Sequence, residues 1–129
     1  MMNPEGIIIR QSPYPVKETI DRLQQFLEQH GATIYARIDQ QVEVNKTGQS
    51  LLPLEFLLFG NPKAGGPVMI ENPVAALDLP LKVIAWEDKG QKVWIAYNDA
   101  GYIKHRFGLP DTISAPLNIE PIILKILEV

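Results

Sequence analysis

The chain has 129 residues, 11 prolines, no cysteine and a formal net charge of −3. That length suits one domain, residues 1–129, able to bury roughly two-thirds of its unfolded surface without a metal or disulfide. The absence of cysteine excludes disulfides, thiolate catalysis and zinc–thiolate sites, and the mild acidity argues against generic nucleic-acid binding.

Gly6 to Arg10 reads as a first strand, because Ile7, Ile8 and Ile9 are β-branched and flanked by breakers. Ser12-Pro13-Tyr14-Pro15 reads as a turn. A helix is then predicted from about Pro15 to His30, since Val16, Ile20, Leu23, Phe26 and Leu27 recur at helical period. Pro15 suits its first turn and Gly31 its stop. Thr33 to Ile38 reads as a second strand, with Ile34, Ala36 and Ile38 on one face. Asp39 to Lys46 fits two readings. Val42 and Val44 alternate with Glu43 and Asn45 as in a strand, whereas Asp39 is a good helix cap.

Leu54 to Phe59 is apolar at every position except Glu55, as in a strand buried within a sheet. Gly60 to Gly66 reads as a loop, and Pro67 to Asp78 as short helical turns interrupted at Pro73. Leu81 to Glu87 and Lys92 to Tyr97 form a hairpin across Asp88-Lys89-Gly90-Gln91. Asn98 or Asp99 caps a short helix ending at Gly108, and Asn118 caps a last helix whose stripe is Ile119, Ile122, Ile123, Ile126 and Leu127. The fold class expected is α+β: an antiparallel or mixed sheet with helices mainly on one face. Trp86 and Trp94 have the opposite parity to Val83, Ala85, Val93 and Ile95. If the latter face the helices, the tryptophans mark an outward apolar face suited to a homodimer.

No apolar run approaches the ~20 residues of a membrane span, and the Met1 to Gly6 start has neither a basic cluster nor an apolar stretch. The expectation is a soluble, cytoplasmic protein with no nucleic-acid or membrane partner.

Several stretches resemble the bacterial and archaeal domain-of-unknown-function 302 family: Phe59-Gly60-Asn61-Pro62-Lys63-Ala64-Gly65-Gly66, Arg37-Ile38-Asp39, Leu79-Pro80-Leu81-Lys82 and Ala96-Tyr97-Asn98. The resemblance implies a fold similar to a single TATA-binding-protein-like unit with added helices, prone to dimerise, and a helix after Asp39. It implies no assigned reaction. The family typically has a histidine directly after the aspartate matching Asp39; this chain has Gln40 there, so no acid–base or metal scheme built on that histidine carries over.

The Gly60 to Gly66 segment is the leading candidate site. It joins a buried strand to a helix start, where free amides attract anions. The candidate ligand-binding residues are Asp39, Gly60, Asn61, Lys63, Gly65 and Gly66. Lys63 supplies charge, Asn61 orientation and the amides a cradle for a small anionic ligand. The segment lacks the terminal Gly-Lys-Ser/Thr of a phosphate loop. The plainer alternative is a tight connection in which Asn61 bonds the backbone and Pro62 stiffens it. An enzymatic alternative uses Asp39, Glu87 or Tyr97 as a general acid or base beside this segment. Glu55 needs a partner if buried, with Arg37, Lys63 or Lys82 as candidates. The two histidines, His30 and His105, are far apart in sequence and no metal site is expected. No cofactor is expected, and no serine has nucleophile-elbow context.

Overall fold

A computed structural model describes residues 3–129. Met1 and Met2, the start of the segment read for a leader, lie outside the described residues. Five strands form one antiparallel sheet: β1 (Ile7–Ser12), β2 (Thr33–Asp39), β3 (Leu54–Gly60), β4 (Leu81–Glu87) and β5 (Val93–Asn98), in the order β1-β5-β4-β3-β2. The helices are α1 (Val16–Gln29), α2 (Gln40–Asn45), α3 (Pro62–Glu71), α4 (Ala100–Phe107), α5 (Asp111–Ser114) and α6 (Glu120–Ile126). Two 3-10 turns, Pro73–Asp78 and Ala115–Leu117, complete the chain. The architecture is the expected α+β arrangement.

Each α1 residue buried in the core falls on the predicted stripe: Val16, Ile20, Leu23 and Leu27 pack on one face of the sheet. Pro15 is the cap residue rather than the first helical residue. The same core takes Leu57 and Phe59 from β3, Val83 and Ala85 from β4, Ile95 and Tyr97 from β5, and Ile119, Ile123 and Ile126 around α6. A smaller cluster of Val68, Ala75, Ile103, Leu109 and Leu117 joins α3, α4 and the two 3-10 turns at one end of the sheet.

Two expectations change and one open reading is settled. The strand over Thr33 to Ile38 does not keep one face, because the register shifts between Ile34 and Ala36. Ile34 pairs with Phe59 on the helix-covered side, Tyr35 takes up the irregularity, and Ala36 and Ile38 pair with Leu58 and Phe56 on the other side. The Gly60 to Gly66 segment is not a loop. Helix α3 begins at Pro62, capped by the Asn61 side chain, and runs through Pro67 to Glu71. Proline at the first position and asparagine at the cap are strong start signals, and they outweigh two glycines and an internal proline. Finally, the segment after Asp39 is helical over Gln40–Asn45, as the family resemblance implies: Asp39 Oδ1 accepts from Val42 N at 3.0 Å.

The hairpin meets the condition left open in the sequence. Val83, Ala85, Val93 and Ile95 belong to the core beneath the helices, and Trp86 pairs with Trp94 on the opposite face. That face continues through Ile84, Phe56, Leu54 and Ile38, none of which belongs to either core cluster. Helix α2 buries no residue.

Candidate functional site

The candidate site is built around the end of β3 and the start of β4. Phe59 and Leu81 pair there and point to the helix-covered side. The last turn of α1 brings Leu27 to the cavity wall, and the chain then turns through Gly31, whose φ of +79° is the left-handed conformation that glycine accepts. Pro116, Leu117, Ile119 and Ile122, around the start of α6, stand on another side, and α3 closes a third. These elements leave a cavity of about 470 Å³, partly open to solvent. Gly60, Asn61, Pro62, Ala64, Gly65 and Met69 line its α3 wall, and Leu79 and Pro80 extend it. No charged side chain lines the cavity; Tyr35 and Asn61 are its polar side chains.

Small residues make the space. Gly65 sits in a helical conformation where an added Cβ would meet nothing nearer than Met69 Cε, at 4.0 Å. A Cβ on Gly60 would meet the Tyr35 ring at 3.6 Å. Removing side chains at these positions of the α3 wall opens a volume within the usual range of small-molecule sites.

The amides at the start of α3 do not form an anion cradle. Lys63 N donates to Asn61 Oδ1 at 3.0 Å, and Ala64 N and Gly65 N donate to Asn61 O at 2.9 and 2.8 Å. This corrects the cradle expected from the sequence: the cap and first turn already use these donors. Gly60, Asn61 and Gly65 line the cavity, whereas Lys63 and Gly66 do not. Lys63 lies between two lining residues, Pro62 and Ala64, and its side chain is exposed with no salt bridge among the described residues.

Asp39 is not part of this site. It caps α2 next to Glu55 in the register, and Glu55 lies about 13 Å along β3 from Phe59. Glu87 closes β4 at that same far end. Tyr97 is about 14 Å from β2, three strand spacings away. The three residues of the enzymatic alternative are therefore not brought together.

Each of the buried polar groups has a structural partner. Glu55 accepts from Arg37 Nε at 3.0 Å and faces Lys17 Nζ at 3.6 Å, so Arg37, rather than Lys63 or Lys82, is the main partner. Arg37 also donates to Asp21 at 2.6 Å. Burial works against the Arg37 charge, but the bonds to Asp21 and Glu55 outweigh it and raise its pKa. Tyr97 donates to Glu120 Oε2 at 2.7 Å and accepts from Arg10 Nε at 3.3 Å, while Arg10 also pairs with Glu120. Burial, reinforced by the Glu120 carboxylate, pushes the Tyr97 phenol up to about 12. Tyr97 is held neutral, the opposite of what a general base at ordinary pH requires. Among the described residues, no cluster of histidine or carboxylate side chains could hold a metal ion.

The cavity walls from α1 and the start of α6 were missed in the sequence. Leu27 and Ile122 read equally well as ordinary core, and nothing local places them beside Gly65. The one local signal was a helix wall with Gly65 and Met69 four residues apart.

Comparison with known proteins bears on the fold and the family. A crystal structure titled as an uncharacterized conserved protein DUF302 from Bacillus stearothermophilus superposes with a TM-score of 0.78. It covers 96% of this chain and 97% of that one, at 20% identity, so the likeness is one of fold. Curated relatives include proteins named Fluoride-specific ion channel FluC 1 from Brucella suis biovar 1 (strain 1330) and Brucella abortus biovar 1 (strain 9-941). Each is 32% identical over 111 residues, which is 84% of this chain but 44% and 41% of theirs. The chain thus spans less than half the length of these relatives. The family profile described as Domain of unknown function DUF302 matches residues 8–122, and with that match over most of its length the chain belongs to the DUF302 family.

Proposed function

We propose that this protein is a small-molecule binding module whose ligand enters the cavity between α3, the end of α1 and the start of α6. The observation that carries this reading is the cavity itself: about 470 Å³, apolar, and bounded by Gly60, Asn61 and Gly65 of the segment singled out in the sequence. The concave apolar walls stand partly open to water, and a ligand seated there would remove that hydrocarbon from it. The backbone amides at the start of α3 are already bonded and contribute no anion cradle to the cavity.

In the channel relatives, the matching unit is less than half of the chain. No described helix here is long and apolar enough to cross a membrane. The reading assigns ion conduction in such proteins to their remaining residues and a ligand-binding role to the shared unit. Fluoride itself does not suit the cavity, because a small hydrated anion needs donors to replace its water and this lining offers mostly hydrocarbon.

The test is a thermal-shift screen of organic acids, phosphates, nucleotides and apolar compounds on wild type and Gly65→Leu. The leucine side chain projects into the cavity from a helical position with room for its Cβ. A ligand at ~100 times its Kd adds about 2.7 kcal/mol, several degrees in a domain this size. The reading expects compounds that stabilise wild type and not the variant. Equal shifts in both proteins, or none in wild type, contradict it.

A second reading rests on a separate observation. The sheet face carrying Trp86 and Trp94 has no helix core against it, and Lys82, over the Phe56 ring at 4.7 Å, is its one charged strand residue. We propose that a second copy of the chain covers this face as a homodimer.

A further inference from the structure

We infer that the cavity takes an uncharged, hydrocarbon-bodied small molecule, and that ions of the same shape, anionic or cationic, are shut out by the chemistry of its walls. This rests on the binding reading above and names the ligand class for it.

The side chains offer no counter-charge. Among the described residues that line the cavity none is charged. Leu27, Phe59, Leu81 and Ile122 bring hydrocarbon to it from four different elements. A charged group moved in among them loses its water and meets nothing that replaces it.

The backbone offers no substitute. Helix ends are where unbonded amides and carbonyls are usually found, and three helix ends meet at this cavity. All three are closed by bonds within the chain. At the end of α1, Leu27 O accepts from His30 N at 3.1 Å and from Ala32 N at 3.0 Å. At the start of α3, the amides of Lys63, Ala64 and Gly65 are bonded to Asn61. At the start of α6, Glu120 N donates to Asn118 Oδ1 at 3.1 Å and Ile119 O accepts from Ile123 N at 3.0 Å. Phe59 lies on a strand paired on both sides, with Ile34 and with Leu81.

What polarity remains is neutral and sits on exposed residues. Tyr35 is 52% exposed, and Asn61 is exposed as well. The register shift between Ile34 and Ala36 places Tyr35 there, and its ring lies 3.6 Å from where a Gly60 Cβ would stand. Asn61 Oδ1 already accepts from the Lys63 amide, which leaves the Asn61 amide N–H groups and the Tyr35 phenol. These suit one hydroxyl or carbonyl on the ligand and do not neutralise a charge.

The experiment is calorimetric titration, at neutral pH, of wild type, Gly65→Leu and Ile122→Phe with two matched sets of probes. One set is cyclohexylmethanol, cyclohexanecarboxylate and cyclohexylmethylammonium; the other is benzyl alcohol, benzoate and benzylammonium. Each has about eight or nine heavy atoms, so at ~30 Å³ per atom-sized group it fits wholly within 470 Å³. In wild type at least one alcohol is expected to bind, and both of its charged counterparts to bind about tenfold more weakly or not at all. The two variants fill the space from different walls, and melting temperatures show which of them is folded. A folded variant should lose the alcohol. If an ion binds wild type as tightly as its alcohol and is lost in the variants, the uncharged class is refuted while the cavity reading survives. If no alcohol binds wild type, the inference fails; the cavity reading fails with it only when the thermal-shift screen also finds no ligand that depends on Gly65. If the alcohols bind the folded variants unchanged, they sit elsewhere and the inference fails.

Discussion

Glu55 is buried on a strand that is otherwise apolar, and Arg37 and Lys17 hold its charge. Removing the closer cation leaves a buried carboxylate with one partner at 3.6 Å. Arg37→Met is expected to destabilise the fold by about 3 kcal/mol, measured by urea unfolding. A loss below ~1 kcal/mol would mean that the cluster of Arg37, Asp21 and Glu55 is an exposed-type pair of little weight. Tyr97 gives a pH signature. Its pKa is raised from 10.0 in the ordinary state to about 12 in the fold by burial and by Glu120. Its contribution is therefore fully present below pH 10 and is lost as pH rises from 10 towards 12. Wild type should lose on the order of 2 kcal/mol more than Tyr97→Phe across that window. Parallel curves for the two proteins would show that the phenol is not held as described.

At the scale of elements, α3 is the least expected piece. Gly65, Gly66 and Pro67 disfavour a helix, yet the Asn61 cap and Pro62 start one. Gly65→Ala should stabilise the protein by about 0.5–1 kcal/mol, because its Cβ meets nothing closer than 4.0 Å and helix propensity improves. Gly6→Ala should do the reverse. Gly6 has a φ of +78°, and a Cβ there would lie 2.4 Å from the Tyr102 ring. Thermal melts of the two variants should move in opposite directions; a common direction would contradict the packing around one of them. The elements with a clear period were legible in the sequence: α1 from its apolar stripe, and the hairpin from its alternation and Asp88 to Gln91 turn. The bulge at Tyr35 was not, since a one-residue slip leaves the composition of β2 unchanged while reversing its faces. The Asp39 helix was legible from its cap but hidden by the alternation of Val42 and Val44.

At the scale of the molecule, the sheet has one face covered by α1 and α6 and one without a helix core. Five strands at about 4.8 Å and six residues at about 3.3 Å give a flat footprint of roughly 480 Å². Stable interfaces bury about 800 Å² per partner. The tryptophan face alone thus predicts a weak dimer, with mass rising over the micromolar range in sedimentation equilibrium. Trp86→Lys should abolish that rise, and a wild-type monomer at every concentration would contradict a second copy on this face. The site was partly legible from the sequence. Gly60, Asn61 and Gly65 were marked by their residue types, and all three line the cavity. Its apolar character was not legible, because Leu27, Leu81, Ile119 and Ile122 converge only through the fold.

The account depends most on where a ligand sits. The most direct measurement is methyl-resolved NMR of the protein titrated with the compound that stabilises it most in the thermal-shift screen. Shifts are predicted for the methyl groups of Leu27, Met69, Ile119 and Ile122, which line the cavity, and not for those of Ile38 or Ile84 on the far side of the sheet. Shifts confined to Ile38 and Ile84, or no shift at all, would contradict it.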